Sequence, residues 1–272
     1  MNRTGLAVLL VALLAGCTPA PEGTRFWQQV QREYASQDYI DTLNYIADVL
    51  RTENEFNERA AVLKTTILGG MARAAFEISE ACAEGIDKVA DWDSKPYKAC
   101  IDQYRSQTRA NTLALIDALA EFEQVAAESE TLTLDFPLSE ARETPSPIVG
   151  RTRAGAMPAE KMFEPAVVRI MSRQVALQAS DVVGASDLAA AKTMFESPPV
   201  TVSKSMFLVG VAKTLLTTAA LFEQDRIDDS EKRAAVLKRA RDCLTPALEG
   251  DDAEAKSRAR TVSREIAAAL RR

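Results

Sequence analysis

Four thiols carry the chemistry that spacing can constrain in this 272-residue chain: Cys17, Cys82, Cys100 and Cys243. None stands in a CxxC pair or any other metal-ligand spacing, which leaves lipidation, disulfide formation and burial as their possible roles. Histidine is absent, and its absence excludes Ser-His-Asp and Cys-His nucleophilic systems while leaving carboxylate, lysine and tyrosine chemistry open. The nearest acid pairs, Glu53 with Glu55 and Asp91 with Asp93, sit in no catalytic context. Asp91 and Asp93 open like a calcium loop, but its later ligands and central glycine are missing. There is no phosphate-binding glycine loop, dinucleotide fingerprint or nucleophile elbow. The residues therefore predict no catalytic group, no metal and no cofactor.

The surroundings of Cys17 are the most specific stretch. Met1-Asn2-Arg3 gives a positive start, Leu6 to Leu14 is an unbroken apolar run, and Leu14-Ala15-Gly16-Cys17 follows at once. That order is the pattern of a secretory signal, and the run is too short to span a bilayer. The Leu-Ala-Gly-Cys ending resembles the lipobox of bacterial lipoproteins. The resemblance implies cleavage after Gly16, lipid chains on Cys17, and, with Thr18 rather than aspartate next, export onward to an outer membrane facing the periplasm. Residues 17–24, with Pro19, Pro21 and Gly23, then read as a tether. Loss of Arg3 with residues 1–16 leaves 32 basic and 39 acidic residues, a net charge of −7. Such a chain lacks the basic stripe that nucleic acid requires, so membrane affinity is expected from the lipid and partners from among envelope proteins.

The rest predicts an all-α fold of antiparallel helical hairpins, with an N-terminal half over 25–127, a proline-rich connector over 128–158 and a C-terminal half over 159–272, packed as one domain. Thr24 is expected to cap a first helix bearing Phe26, Trp27, Val30 and Tyr34, and Ser36-Gln37-Asp38 separates it from a second helix bearing Tyr39, Leu43, Ile46 and Leu50. Asn57 to Ala90 and Pro96 to Val125 form the two arms of a long hairpin that turns at Asp91–Pro96. Cys82 lies nine residues before Asp91 and Cys100 nine after it, so equal rise along the two arms brings the thiols level and predicts an 82–100 disulfide. Cys243 is then left over as a buried thiol. Gly69-Gly70, in mid-helix, signals a close helix crossing or kink.

Tyr34-Ala35-Ser36-Gln37-Asp38-Tyr39-Ile40-Asp41-Thr42-Leu43 resembles the turn and second helix of a tetratricopeptide repeat, with Gln37 in place of that family's glycine and Thr42 in place of its alanine. A lipobox followed by helical hairpins is similar to the tetratricopeptide-like lipoproteins that accompany periplasmic solute-binding transport systems, the T-component of TRAP-type transporters. The resemblance implies a solenoid-like stacking of hairpins and an accessory place in a transport or envelope assembly. Trp27, Tyr34, Tyr39 and Tyr45 are the candidates for a binding face on such hairpins, against the alternative that they pack between helices. Within 128–158, the alternation of Thr131 to Phe136 predicts a short strand with Ile148-Val149 as its partner, and the segment is either a binding loop or a junction. Met206 to Phe222 is expected to be a buried helix rather than a membrane span, because Lys213 interrupts it. The last helix, through Ala255, Ala259, Val262 and Ile266, carries Lys256, Arg258, Arg260 and Arg264 on its other sides, an anionic-surface contact or a solvated face.

Two functional classes follow. One is a lipid-anchored, envelope-facing binding or scaffold protein; the other is a periplasmic enzyme that works through carboxylates or a lysine, with 128–158 as a lid. For the anchor, Cys17→Ser is expected to abolish lipid labelling and release the protein from the membrane fraction, as read by blotting after ultracentrifugation. Retention of the variant in the membrane would point to a second anchor.

Overall fold

The apolar periodicity of the chain resolves into helices of very unequal length, whose order sets the architecture. The computed structural model describes residues 22–138, 146–222 and 229–271; Cys17 and the leader-like segment lie outside them. Helix α1 spans Glu22–Ala35 and α2 spans Tyr39–Leu50. The first starts before the expected cap, so Thr24 lies inside it, with Glu22 in a first turn that favours negative charge. Between them Gln37 adopts φ +64°, a left-handed conformation costing about 1–2 kcal/mol outside glycine, and Ser172 Oγ lies 2.8 Å from its Oε1. Asp38 then caps α2 by accepting from Asp41 N at 3.1 Å.

The long hairpin consists of α3 (Asn57–Ile86) and α4 (Lys95–Val125), which contact each other more extensively than any other pair of elements. Pro96 stands in the first turn of α4, where its missing N–H costs nothing. Beyond it, Thr131–Leu134 forms strand β1. The expected partner of β1 was wrong. Ile148-Val149 falls within a short helix, α5 (Pro147–Arg153), which Pro147 preorganises at its N-terminus. The actual partner is β2 (Val200–Ser203), antiparallel, with Thr131 opposite Ser203 and Leu134 opposite Val200. Leu132, Leu134, Val200 and Val202 are all buried, so the pairing matches inward faces that two residues of α5 do not offer.

The C-terminal half contains α6 (Glu160–Val182), α7 (Leu188–Met194), α8 (Lys204–Ala219) extended by one tighter turn at Ala220–Phe222, α9 (Asp229–Glu249) and α10 (Ala253–Ala269). Asp187 and Asp252 cap α7 and α10 by accepting from Ala190 N and Ala255 N. The Ser203 hydroxyl, itself the cap of α8, donates to Asp252 Oδ2 at 2.6 Å, so two helix starts are tied together. The Ala255 N–H and the Ser203 hydroxyl hold the Asp252 carboxyl below its ordinary value of 3.8. This cap's contribution is complete above that pH and lost as the pH falls below it. The Lys204 ammonium donates to Ala126 O at 2.5 Å, a cation on the carboxyl end of α4.

All these elements except α5 and the disulfide region feed one apolar core, which runs from Trp27 to Ile266. The Lys204–Phe222 stretch is long and apolar enough by composition to cross a membrane, but 72% of it is buried inside the fold. At the centre is α6. A Cβ added at Gly70 would lie 2.4 Å from Val175 Cα, and one added at Gly210 would lie 2.6 Å from Val182 Cα. Helices α3 and α8 thus press backbone-close on α6 from two sides, which explains the mid-helix glycines. Gln178, fully buried, crosses the same junction: it accepts from the Thr214 hydroxyl, and its Nε2 lies 3.5 Å from Gly210 O.

These contacts predict opposite rankings from helix propensity and from packing. Alanine gains about 1 kcal/mol over glycine in a helix, whereas forced overpacking costs typically 1–3 kcal/mol. At Gly70 the obstruction is backbone, which puts the cost at the upper end of that range, so Gly70→Ala is expected to lower unfolding stability by up to about 2 kcal/mol net in urea titrations. At Gly69 the nearest atom is Gln178 Cδ at 2.9 Å, a side-chain end that can shift, and Gly69→Ala is expected to cost less than Gly70→Ala.

Candidate functional site

The cysteines fall where the hairpin geometry put them. Cys82 and Cys100 are joined across α3 and α4, with Cα atoms 6.3 Å apart. They lie in a second, smaller core with Ala74, Ile78, Tyr97, Tyr104 and Ile170. A bridge closing 18 residues stabilises by about 3 kcal/mol through the unfolded chain. Cys243 is the free cysteine among the described residues, buried in the main core, and burial pushes its thiol up to about 12. It is a packing residue with almost no thiolate at neutral pH.

The aromatic face has to be corrected. Trp27, Tyr34 and Tyr39 are 4%, 1% and 1% exposed, and Tyr45 packs half-buried against the same core. Phe56 stacks on Trp27 at 5.7 Å, while Phe136, just beyond β1, packs edge-on to Tyr34 at 5.3 Å. Phe195 in turn packs on Phe136 at 5.8 Å. The covering rings are Phe56, just ahead of α3, and Phe136 in the connector, with Phe195 behind Phe136, and the spacing within α1 and α2 could not reveal them. Trp27, Tyr34 and Tyr39 therefore pack the first hairpin onto the body rather than form an exposed face, with Tyr45 half-buried beside them.

What the same helices leave open is a groove of about 630 Å³ between α2, α3 and α4. Its floor is apolar, from Leu43 on α2, Leu68 on α3 and Ala114 and Ala118 on α4. The alanines stand one turn apart on the same side of α4, where their small side chains leave room. Lys64 and Glu121 form an ion pair at 2.6 Å on its edge, with Asp117 beside them. Two large apolar side chains on the same helices face solvent, Ile40 at 57% and Leu113 at 45% exposure. Residues 22–138 carry 21 acidic and 11 basic side chains, a net of −10, against 16 acidic and 20 basic over 146–272. The groove therefore lies on the strongly acidic half of a charge-divided molecule. Sequence reasoning missed it; its signal was the Ala114–Ala118 spacing on α4.

At the turn between α1 and α2, carboxylate oxygens of Glu33, Asp38 and Asp41 lie within 4.8 Å of one another. Asp38 is engaged there as the cap of α2 and Glu33 with Gln29 at 2.5 Å, so the cluster has a local structural explanation. Against known proteins, no family model, no curated protein and no solved structure matches the chain.

The thiol assignments are open to counting. Alkylation of the Cys17→Ser form at pH 8 is expected to label no cysteine in the native state, one (Cys243) in urea, and three after reduction in urea. Labelling of Cys82 or Cys100 without reductant would contradict the bridge.

Proposed function

We propose that this chain is a lipid-anchored helical binding protein of the cell envelope. Lipid on Cys17 holds it at the outer membrane facing the periplasm, where it serves as an accessory component of a transport or envelope assembly. The observation that carries the binding role is the groove between α2, α3 and α4. Its apolar floor, the acidic Asp117 and Glu121 on its edge and the net negative half it lies on suit a partner segment that is apolar on one side and basic at its flanks. Burial of the apolar edge supplies affinity, at roughly 25 cal/mol per Å² removed from water, while the charge steers encounter and excludes acidic segments. The groove lies between packed helices, so little ordering of the receptor is needed on binding.

Two further facts support the compartment. The Cys82–Cys100 bridge is at home in an oxidising space. The similarity of the N-terminus to the lipobox, and of the hairpin order to T-component lipoproteins, supports an accessory role beside a transporter.

The test is photo-crosslinking in the intact envelope. A photoreactive residue at position 114 is expected to yield one discrete protein adduct, which Asp117→Lys weakens by about tenfold, the effect of a lost and reversed charge worth about 1.4 kcal/mol. The same probe at Lys238, exposed on α9, is expected to yield none. Identical adducts from both positions would reject the groove as the recognition surface.

A further inference from the structure

Three arginines line the outer face of the terminal helix. Helix α10 packs chiefly against α8 and α9, and these in turn meet α3 and α4 of the acidic half. The inner side of α10 is Ala255, Ala259, Val262 and Ile266, all buried. On its far side Arg260 and Arg264 are exposed, and Arg271, just past the helix end, is exposed as well. At 3.6 residues per turn the three fall within about 40° of one another around the axis.

The fold makes little use of these cations. Among the described residues, no carboxylate pairs with Arg260, Arg264 or Arg271. Arg264 makes only long contacts, to Arg260 O at 3.3 Å and to the Thr261 hydroxyl at 3.4 Å. Arg258 is the contrast on the same helix: it is half-buried and donates to Gly184 O at 2.6 Å and to Glu254 at 2.9 Å. The acids of α10, Glu254 and Glu265, lie about 80° or more around the axis from the nearest of the three arginines. Leu270, beside Arg271 in sequence and 46% exposed, leaves an apolar side chain in the open at the same end.

We propose that this face rests on an anionic phospholipid surface and sets how the protein stands on the membrane. Guanidinium groups in a line complement a plane of phosphates, and each is drawn to it within about 10 Å, the screening length at 0.1 M salt. The charge division acts in the same sense. The half that bears α10 carries 20 basic and 16 acidic side chains and is attracted, whereas the other half, at −10, is repelled. Because α6 joins the halves, turning α10 to the bilayer turns the acidic groove away from it. The face depends on the lipid-anchored reading for one thing, that a bilayer lies within reach. Residues 17–21 precede α1 and extend at most about 18 Å. A run of contacts leads from the start of α1 to the start of α10: Gly23 lies on Asn54, Glu58 meets Ser129, β1 pairs with β2, and Ser203 bonds to Asp252. The tether and the first turn of α10 therefore share one end of the molecule.

The experiment places the protein, expressed from the full-length chain, on vesicles of phosphatidylcholine alone or of an equal mixture with phosphatidylglycerol. A photoreactive residue at position 267, exposed among the arginines, is expected to form phospholipid adducts on the mixed vesicles. The yield is expected to fall at least about tenfold on neutral vesicles, and equally in salt of about 1 M, where screening shortens to about 3 Å. The combined variant Arg260→Gln, Arg264→Gln and Arg271→Gln is expected to lose as much, with circular dichroism as the check that the fold is kept. The same probe at position 114, in the groove, is expected to form no lipid adduct. Flotation on neutral vesicles reads the N-terminal anchor by itself. A protein that floats there but gives no adduct at 267 on mixed vesicles keeps the anchor and overturns the face. One that gives adducts on mixed vesicles without floating on neutral ones keeps the face and overturns the anchor. Equal lipid adducts from 114 and 267, a yield unchanged by the triple variant, or an adduct at 267 to a second copy of the chain in place of lipid would each overturn the proposal.

Discussion

The structure depends on one close crossing. Helix α6 can sit at the centre only because α3 and α8 each present a glycine to it, and the Cβ positions of both would otherwise fall within 2.4–2.6 Å of its backbone. Close approach brings a band of small residues on α6 (Val175, Ala176, Ala179 and Val182) to zero exposure. It also makes a buried amide affordable, since Gln178 finds partners on α8 where no water can reach. Outside this dry junction Asp181 closes the contact with Arg73 of α3 and Lys213 of α8. Three helices from both halves are thus fixed by sterics, one buried polar contact and one shared carboxylate.

That junction has functional consequences on both sides. On the N-terminal side it fixes α3, against which α2 and α4 pack to leave the acidic groove. On the C-terminal side it sets α8 close against α6, next to a small concavity that α10 also lines. Cross-links between the halves supplement it: Arg239 of α9 pairs with Glu123 of α4 at 2.8 Å, and Lys204 closes the end of α4. The two surfaces differ in kind. One is apolar-floored and set in net negative charge; the other is smaller and lined by side chains of both signs.

Much of this was legible in the residues where the cause is local. The spacing of Val30, Tyr34, Leu63 and Ile67 marks helices, Ser186 or Asp187 and Asp251 or Asp252 mark helix starts, and Gly69-Gly70 marks a crossing or a kink. The equal distances of Cys82 and Cys100 from Asp91 sufficed for the disulfide, since rise per residue is the same on both arms. What failed was long-range. The side on which Trp27, Tyr34 and Tyr39 lie is set by local period, but the ring that covers Tyr34 is Phe136, more than ninety residues away in sequence, with Phe195 packed behind it. Likewise β1 pairs with a strand at 200–203 of the same length, and local alternation does not say which distant strand is its partner. Both concavities escaped because absent atoms make them: Ala114 and Ala118 in one, Gly210 in the other. Cys17 and its surroundings remain the most specific stretch of sequence and lie outside the described residues.

The claim on which both surfaces rest is that α6 joins the halves into one cooperative unit. Native-state hydrogen exchange measures this directly. The slowest amides of α3, α6 and α8 are expected to open with one common free energy, equal to that of global unfolding by denaturant. If the α8 amides exchanged through a distinctly cheaper opening while α3 stayed protected, the halves would be separate units and the central role of the Gly70–α6–Gly210 crossing would be contradicted.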